Sequence, residues 1–129
     1  MGDRANFGVR QGDDVVFLYG HWAGYGMMAT LANGLNAVRD FNRLNDETYA
    51  TRILFSQIVG ESWIGSLGWG ISVNSIVDNE HKIPVVDFRE GTVTLYDWKG
   101  DFDNPTSSPL FTTTIDNFIR RYAKPLASV

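Results

Sequence analysis

The sequence predicts an α+β domain, a mainly antiparallel five-stranded sheet with helices largely on one face. Three observations point there. Short alternating segments come in neighbouring pairs joined by turn residues. Two helix-period segments stand together in the first half of the chain, and one stands at its end. Strands and helices do not alternate one for one, as a doubly wound parallel sheet requires. The expected order is ββααβββα, over residues 1–129 as a single domain.

Ala5 to Arg10 alternates, with Ala5, Phe7 and Val9 on one face and Asn6, Gly8 and Arg10 on the other. Gln11-Gly12-Asp13-Asp14 is turn chemistry. Val15 to Trp22 is apolar on both faces, as a central strand is, and it pairs with the first segment as a hairpin. Ala23-Gly24-Tyr25-Gly26 breaks that strand. Met28, Leu31, Leu35 and Val38 then recur at helical spacing, extended by Phe41, which predicts an amphipathic helix over Met28 to Leu44. Gly34 inside it costs about 1 kcal/mol against alanine, which argues for close packing there. Asp46 is a good N-cap, with Glu47 in the first turn of a second helix. That helix carries Tyr49, Ala50, Ile53, Leu54 and Ile58 and ends before Gly60.

Glu61 to Gly68 reads as a loop, and Trp69, Ile71 and Val73 alternate as a third strand. Asp78-Asn79-Glu80-His81 is a polar turn. Ile83 to Arg89 and Thr92 to Trp98 flank Glu90-Gly91, a two-residue hairpin loop in which glycine supplies positive φ. Gly100 to Pro109 is rich in breakers. Thr114 caps a last helix with Ile115, Phe118, Ile119 and Tyr122 on its apolar side, and Pro125 follows its end.

Composition removes several classes of function. The chain has no cysteine, which excludes a disulfide framework, a thiol nucleophile and a Cys-type zinc site. A formal charge of −4 speaks against a mainly electrostatic binder of extended nucleic acid. No apolar run is long enough to span a membrane, and no signal-peptide core opens the chain. The expected location is the cytoplasm, and no cofactor is expected. Two biases remain. Aromatics make up 13% of the chain, and arginine outnumbers lysine. Arginine suits planar, bidentate contacts to anions.

Five segments together resemble a known group. They are Gly2-Asp3-Arg4-Ala5-Asn6, Val16-Phe17-Leu18-Tyr19-Gly20-His21-Trp22, Thr51-Arg52-Ile53-Leu54-Phe55, Gly68-Trp69-Gly70-Ile71-Ser72, and residues 78–87 from Asp78-Asn79-Glu80 to Val85-Val86-Asp87. The pattern resembles a family of small proteins found in bacteriophage and bacterial genomes, with GDRAN-like, YLYTHW-like, GFGIS-like and DNEYP…VVD-like segments. It covers most of residues 2 to 95. This chain has Gly20 where that pattern often has Thr, and His81 where it often has Tyr. The resemblance implies a phage-type origin, with the host cytoplasm as location, and brings no activity with it.

The first cluster of candidate residues is Asp3, Arg4, Asn6, Tyr19, His21 and Trp22. If the first two strands form a hairpin, the start of one lies beside the end of the other. An arginine fork, a histidine and an aromatic face at one sheet end would suit an anionic or planar ligand. The bland alternative is a salt bridge, Asp3 with Arg4 or Arg52, and a histidine bonded to backbone. The segment from Gly20 to Gly26 leads from strand to helix, where helix N–H groups attract anions. It matches neither GxxxxGK[ST] nor GxGxxG. Tyr25 within it adds a second aromatic face. The second cluster, Asp78, Asn79, Glu80, His81 and Asp87, has metal-ligand residue types without a known motif spacing. A plain exposed turn explains it as well. Asp87 shares a face with Ile83 and Val85, and Arg52 is its expected ion-pair partner. No GxSxG elbow supports a serine nucleophile.

Three readings follow. The leading one is a non-catalytic protein that binds a small anionic ligand, with a nucleotide signal of host defence as its concrete version. It rests on Asp3, Arg4, Asn6, Tyr19, His21, Trp22, Tyr25 and Arg52. The second is a small hydrolase or transferase with His21 as general base beside Asp3 or Glu61. The third is a homo-oligomer or interaction module, joined through Trp-bearing loops or the sheet edge.

Overall fold

Pairing of the segments before and after the two central helices produces one open, mixed sheet. The computed structural model describes residues 2–124. Strand β1 (Ala5–Gln11) turns through Gly12, at φ 63°, into β2 (Asp14–Gly20), with Ala5 opposite Gly20 and Gln11 opposite Asp14. Helices α1 (Met27–Asp40) and α2 (Glu47–Val59) follow, then a 3-10 turn over Gly60–Trp63. Strand β3 (Trp69–Val73) pairs antiparallel with β2. Strands β4 (Ile83–Asp87), β5 (Thr92–Tyr96) and β6 (Pro109–Thr114) form an antiparallel meander, and α3 (Ile115–Tyr122) completes the described chain. The spatial order is β3-β2-β1-β4-β5-β6, and β1 runs parallel to β4.

The α+β class and the antiparallel hairpins match the sequence pattern. Two features differ from it. The sheet has six strands, because Pro109–Thr114 adds an edge strand to β5. That segment carries three threonines, which favour extended backbone, but its other residues show no clean alternation. The sheet is also mixed at its centre. A parallel β1–β4 pair needs a long crossover, and everything from residue 12 to 82 provides it.

Local boundaries have local causes. Helix α1 stops at Asp40, short of Leu44, because Asn42 takes a left-handed φ of 58°. Asp46 caps α2 through the backbone N–H of Tyr49, and Thr114 caps α3 through that of Asn117. The β4–β5 connection spans four residues, 88–91. Gly91 supplies the positive φ expected of it, and Asp87 Oδ1 accepts from the Glu90 N–H. Pro125 lies outside the described residues.

The helices cover one face of the sheet. Phe7, Val9, Leu18, Val86 and Val93 pack there against Leu31, Leu35, Leu54 and Phe118 in one buried cluster. Gly34 sits where α1 meets α2, and a Cβ there would lie 2.8 Å from Leu54 Cδ1. The close packing inferred from that glycine is present. On the opposite face a smaller cluster, Val15, Phe17, Ile83, Val85 and Tyr96, is closed by Ile76 and Trp98.

Candidate ligand-binding site at one end of the sheet

Topology explains why separate stretches of sequence meet at one place. Strands β1 and β4 are parallel neighbours, so the segments entering both lie at the same end of the sheet. Strand β2 runs antiparallel to β1, so its exit lies there too. Residues 2–6, 19–27 and 78–82 therefore converge. The two clusters that look separate in the sequence belong to one site.

Backbone bonds lace these segments together. The Asp3 N–H donates to the His21 carbonyl at 2.8 Å, and the Gly24 N–H donates to the Asp3 carbonyl at 2.9 Å. The Glu80 N–H donates to the Arg4 carbonyl at 2.9 Å. Gly24 is buried where a Cβ would collide with both His81 Nε2 and Asp3 Oδ1. Only glycine lets the chain pass so close to that pair.

Side chains lock the same junction. Arg4 Nη1 donates to Asp78 Oδ2 at 2.8 Å, and Arg4 Nε donates to Glu80 Oε1 at 3.1 Å. The Arg4 backbone N–H also reaches Glu80 Oε1, at 2.9 Å. That backbone bond and then the guanidinium hold the Glu80 carboxyl below its ordinary value. Hydrogen bonding to Glu80 in turn raises Arg4 further, so the guanidinium stays charged. His81 Nε2 meets Asp3 Oδ1 at 2.5 Å. Asn6 is fully buried, and its Nδ2 donates to the Asp78 carbonyl at 2.7 Å and to Asn79 Oδ1 at 3.3 Å. Asn79 Nδ2 passes the chain on to the His81 carbonyl. Tyr19 Oη meets His21 Nδ1 at 2.9 Å, and burial, then the Asp78 charge, pushes the phenol above its usual value.

The structure thus places seven of the eight candidate residues at this end, in different roles. Asp3 lies beside His21 through backbone, as the hairpin implied, but its carboxylate faces His81. Arg4 is bridged between two carboxylates instead of presenting an open fork, and Asn6 is buried support. Trp22 is 69% exposed and stands edge-on to His21, with ring centroids 4.4 Å apart. Tyr25 is 90% exposed. Arg52 is elsewhere. It lies on α2 beside Gln11 and Thr51, at the opposite end of β1. It does not pair with Asp87, because Asp87 points to the face of the sheet away from α2 and binds its own turn.

The residues that sequence reading underrated are His81 and Lys82. A cavity of about 350 Å³ opens between them and the start of α1, lined by Gly24, residues 26–29, His81 and Lys82. Helix α1 starts at Met27 behind Gly26, its N-cap at φ 68°, with no side-chain cap and no acidic residue in its first turn. First-turn N–H groups of a helix lack intrahelical acceptors and carry partial positive charge. Such an opening, with a lysine on its far wall, can receive a small anion. Among the described residues no group of three His, Asp or Glu side chains is arranged to hold a metal ion. No described helix is long and apolar enough to cross a membrane. Comparison with family models, curated proteins and solved structures gave no match.

Proposed function

We propose that this protein binds a small anionic ligand, a nucleotide or phosphorylated metabolite, without catalysing a reaction on it. One observation carries the reading. The N-terminus of α1, with no side-chain cap and no acidic residue in its first turn, opens into the same cavity as His81 and Lys82, and the Asp3 carboxylate beside Gly24 is engaged by His81. Tyr25 stands between two of the lining glycines and offers an exposed stacking face. The Arg4–Asp78–Glu80 bridge holds the wall that carries His81 and Lys82, and Arg52 takes no part. A net charge of −4 favours a small ligand over a polyanion. One concrete version, suited to a protein of phage-type origin, is a nucleotide signal of host defence, withdrawn by being held.

Calorimetry against nucleotides and phosphorylated metabolites tests this. Lys82→Gln should weaken binding by roughly tenfold, the loss of one charged contact. Met28→Asp, which puts a carboxylate among the helix donors, should abolish it. Absence of binding by every member of the panel would reject the proposal.

The Asp3–His81 contact favours a second reading, because an imidazole oriented by a carboxylate is the arrangement of a general base. It replaces His21, whose Nδ1 is engaged by Tyr19. The residues lining the cavity include no hydroxyl or thiol nucleophile, so such a base would act on water or on a bound substrate. Product formed by the wild type and lost in His81→Gln would put this reading in place of simple binding.

A further inference from the structure

At one edge of the sheet stands strand β3, which among the described residues has a strand neighbour only in β2. Exposed edges are usually blunted by charge, proline or bulges. The β6 edge follows that rule, since it opens on Pro109 and its pairing with β5 is interrupted by a register shift at Leu95/Tyr96. The β3 edge has neither device. Residues 62–77 contain no Asp, Glu, Lys, Arg or His at all. Trp69, Ile71 and Val73 lie on the helix-bearing face, opposite Gly20, Leu18 and Val16. The helical layer does not reach that far, so Ile71 and Val73 are more than half exposed, and Ile64 and Leu67 on the preceding loop are almost wholly so. Beside them runs a groove of about 380 Å³, walled by Val16, Phe55, Trp63 and Ile71 and bordered on α2 by Thr51 and Arg52.

We propose that this edge pairs with a second copy of the same chain, β3 antiparallel to the partner's β3, about a twofold axis near Ile71. Charge decides the occupant. A copy of a chain with net charge −4 is repelled by most of its surface. The uncharged 62–77 stretch is the segment where two copies meet without like charges opposed. It offers no charges by which a different, charged partner would be recognised. The symmetry also closes. A β3–β3 contact is isologous and stops at a dimer, whereas β3 on β6 would propagate as a filament. Antiparallel neighbours are related by an axis normal to the sheet, so both helical layers lie on one side. The apolar loop at 63–67 of each copy then stands beside the exposed Ile71 and Val73 of the other.

The chain's lack of cysteine makes the register directly testable. Opposed residues in antiparallel strands have Cα atoms about 4.5–5.5 Å apart, within the span of a disulfide. Ile71→Cys should therefore crosslink into a dimer under mild oxidation, and Leu110→Cys on β6 should not. In sedimentation equilibrium the wild type should be a dimer. Ile71→Lys, with lysines opposed at the axis, should sediment as a monomer, with a far-UV spectrum and melting transition like those of the wild type. A monomeric wild type would overturn the proposal, as would a higher polymer. So would a dimer that survives Ile71→Lys, or crosslinking of Leu110→Cys in place of Ile71→Cys. An unfolded Ile71→Lys leaves the decision to the cysteine pair.

Discussion

Replacing Asn6 with alanine tests whether one buried amide holds the wall of the site. Asn6 is fully buried and joins β1 to the segment entering β4 through the Asp78 carbonyl at 2.7 Å and Asn79 at 3.3 Å. Its removal orphans a partly buried carbonyl and frees Asn79, at about 1–3 kcal/mol. Asn6 Oδ1 has no partner even in the native fold, so its loss relieves one desolvated group and trims the total. The net expectation is about 2 kcal/mol, or a fall of roughly 8 °C in Tm for a domain of this size. Urea titration should show a lower midpoint with an unchanged slope. Asn6→Asp sharpens the test. A carboxylate there is buried beside the Asp78 carbonyl, which raises its folded-state pKa. The folded state then binds the extra proton, so this variant loses stability as pH rises from about 4 towards neutrality. If Asn6→Ala stays within about 0.5 kcal/mol of the wild type, Asn6 does not hold the wall.

Other consequences follow from the same contacts. Arg4 lowers the folded-state pKa of Glu80, so that contribution is complete above the unfolded value of 4.5 and is lost as pH falls through the lower folded one. Melting curves across the acidic range should fall more steeply for the wild type than for Glu80→Gln, and equal slopes would reject the coupling. Gly34→Ala gains about 1 kcal/mol of helix propensity but presses a Cβ onto the fully buried Leu54. Overpacking costs about 1–3 kcal/mol, so a net loss near 1 kcal/mol is expected in urea titration. A higher midpoint would show that Leu54 yields. Gly24→Ala should open the Asp3–His81 contact, lower stability by about 1–3 kcal/mol and weaken ligand binding, all read from one purified variant.

Local order was largely legible from the residues. Asp46 and Thr114 cap as their chemistry requires, Gly12 and Gly91 take the left-handed turns, and Gly34 marks the α1–α2 contact. Pairing between distant segments was not legible. Nothing in Ala5–Gln11 or Ile83–Asp87 states that they will lie side by side in parallel. Without that pairing, Asp3 and Arg4 look unrelated to Asp78, Glu80 and His81. The same gap misassigned partners. Arg52 and Asp87 look complementary by charge, yet α2 covers one face of the sheet and Asp87 points to the other. The edge strand Pro109–Thr114 was hidden because its place is set by β5, not by its own alternation.

The division of labour around the site decides how its variants should be read. Arginine counts suggested an anion receptor, but the Arg4 guanidinium is already bridged by Asp78 and Glu80. An entering phosphate would have to displace a carboxylate that is itself held by the Arg4 backbone N–H. The first turn of α1 carries no acidic residue that would compete for its donors. On the proposed function, Arg4 and Asn6 position the wall, and Lys82 with the start of α1 meets the ligand. The two roles separate experimentally. Arg4→Met should lower the melting temperature, and its binding should recover as temperature is lowered and the wall re-forms. Lys82→Gln should melt like the wild type and bind weakly at every temperature. If Arg4→Met melts normally but binds nothing, the guanidinium itself contacts the ligand, and the wall and the binding face are one and the same.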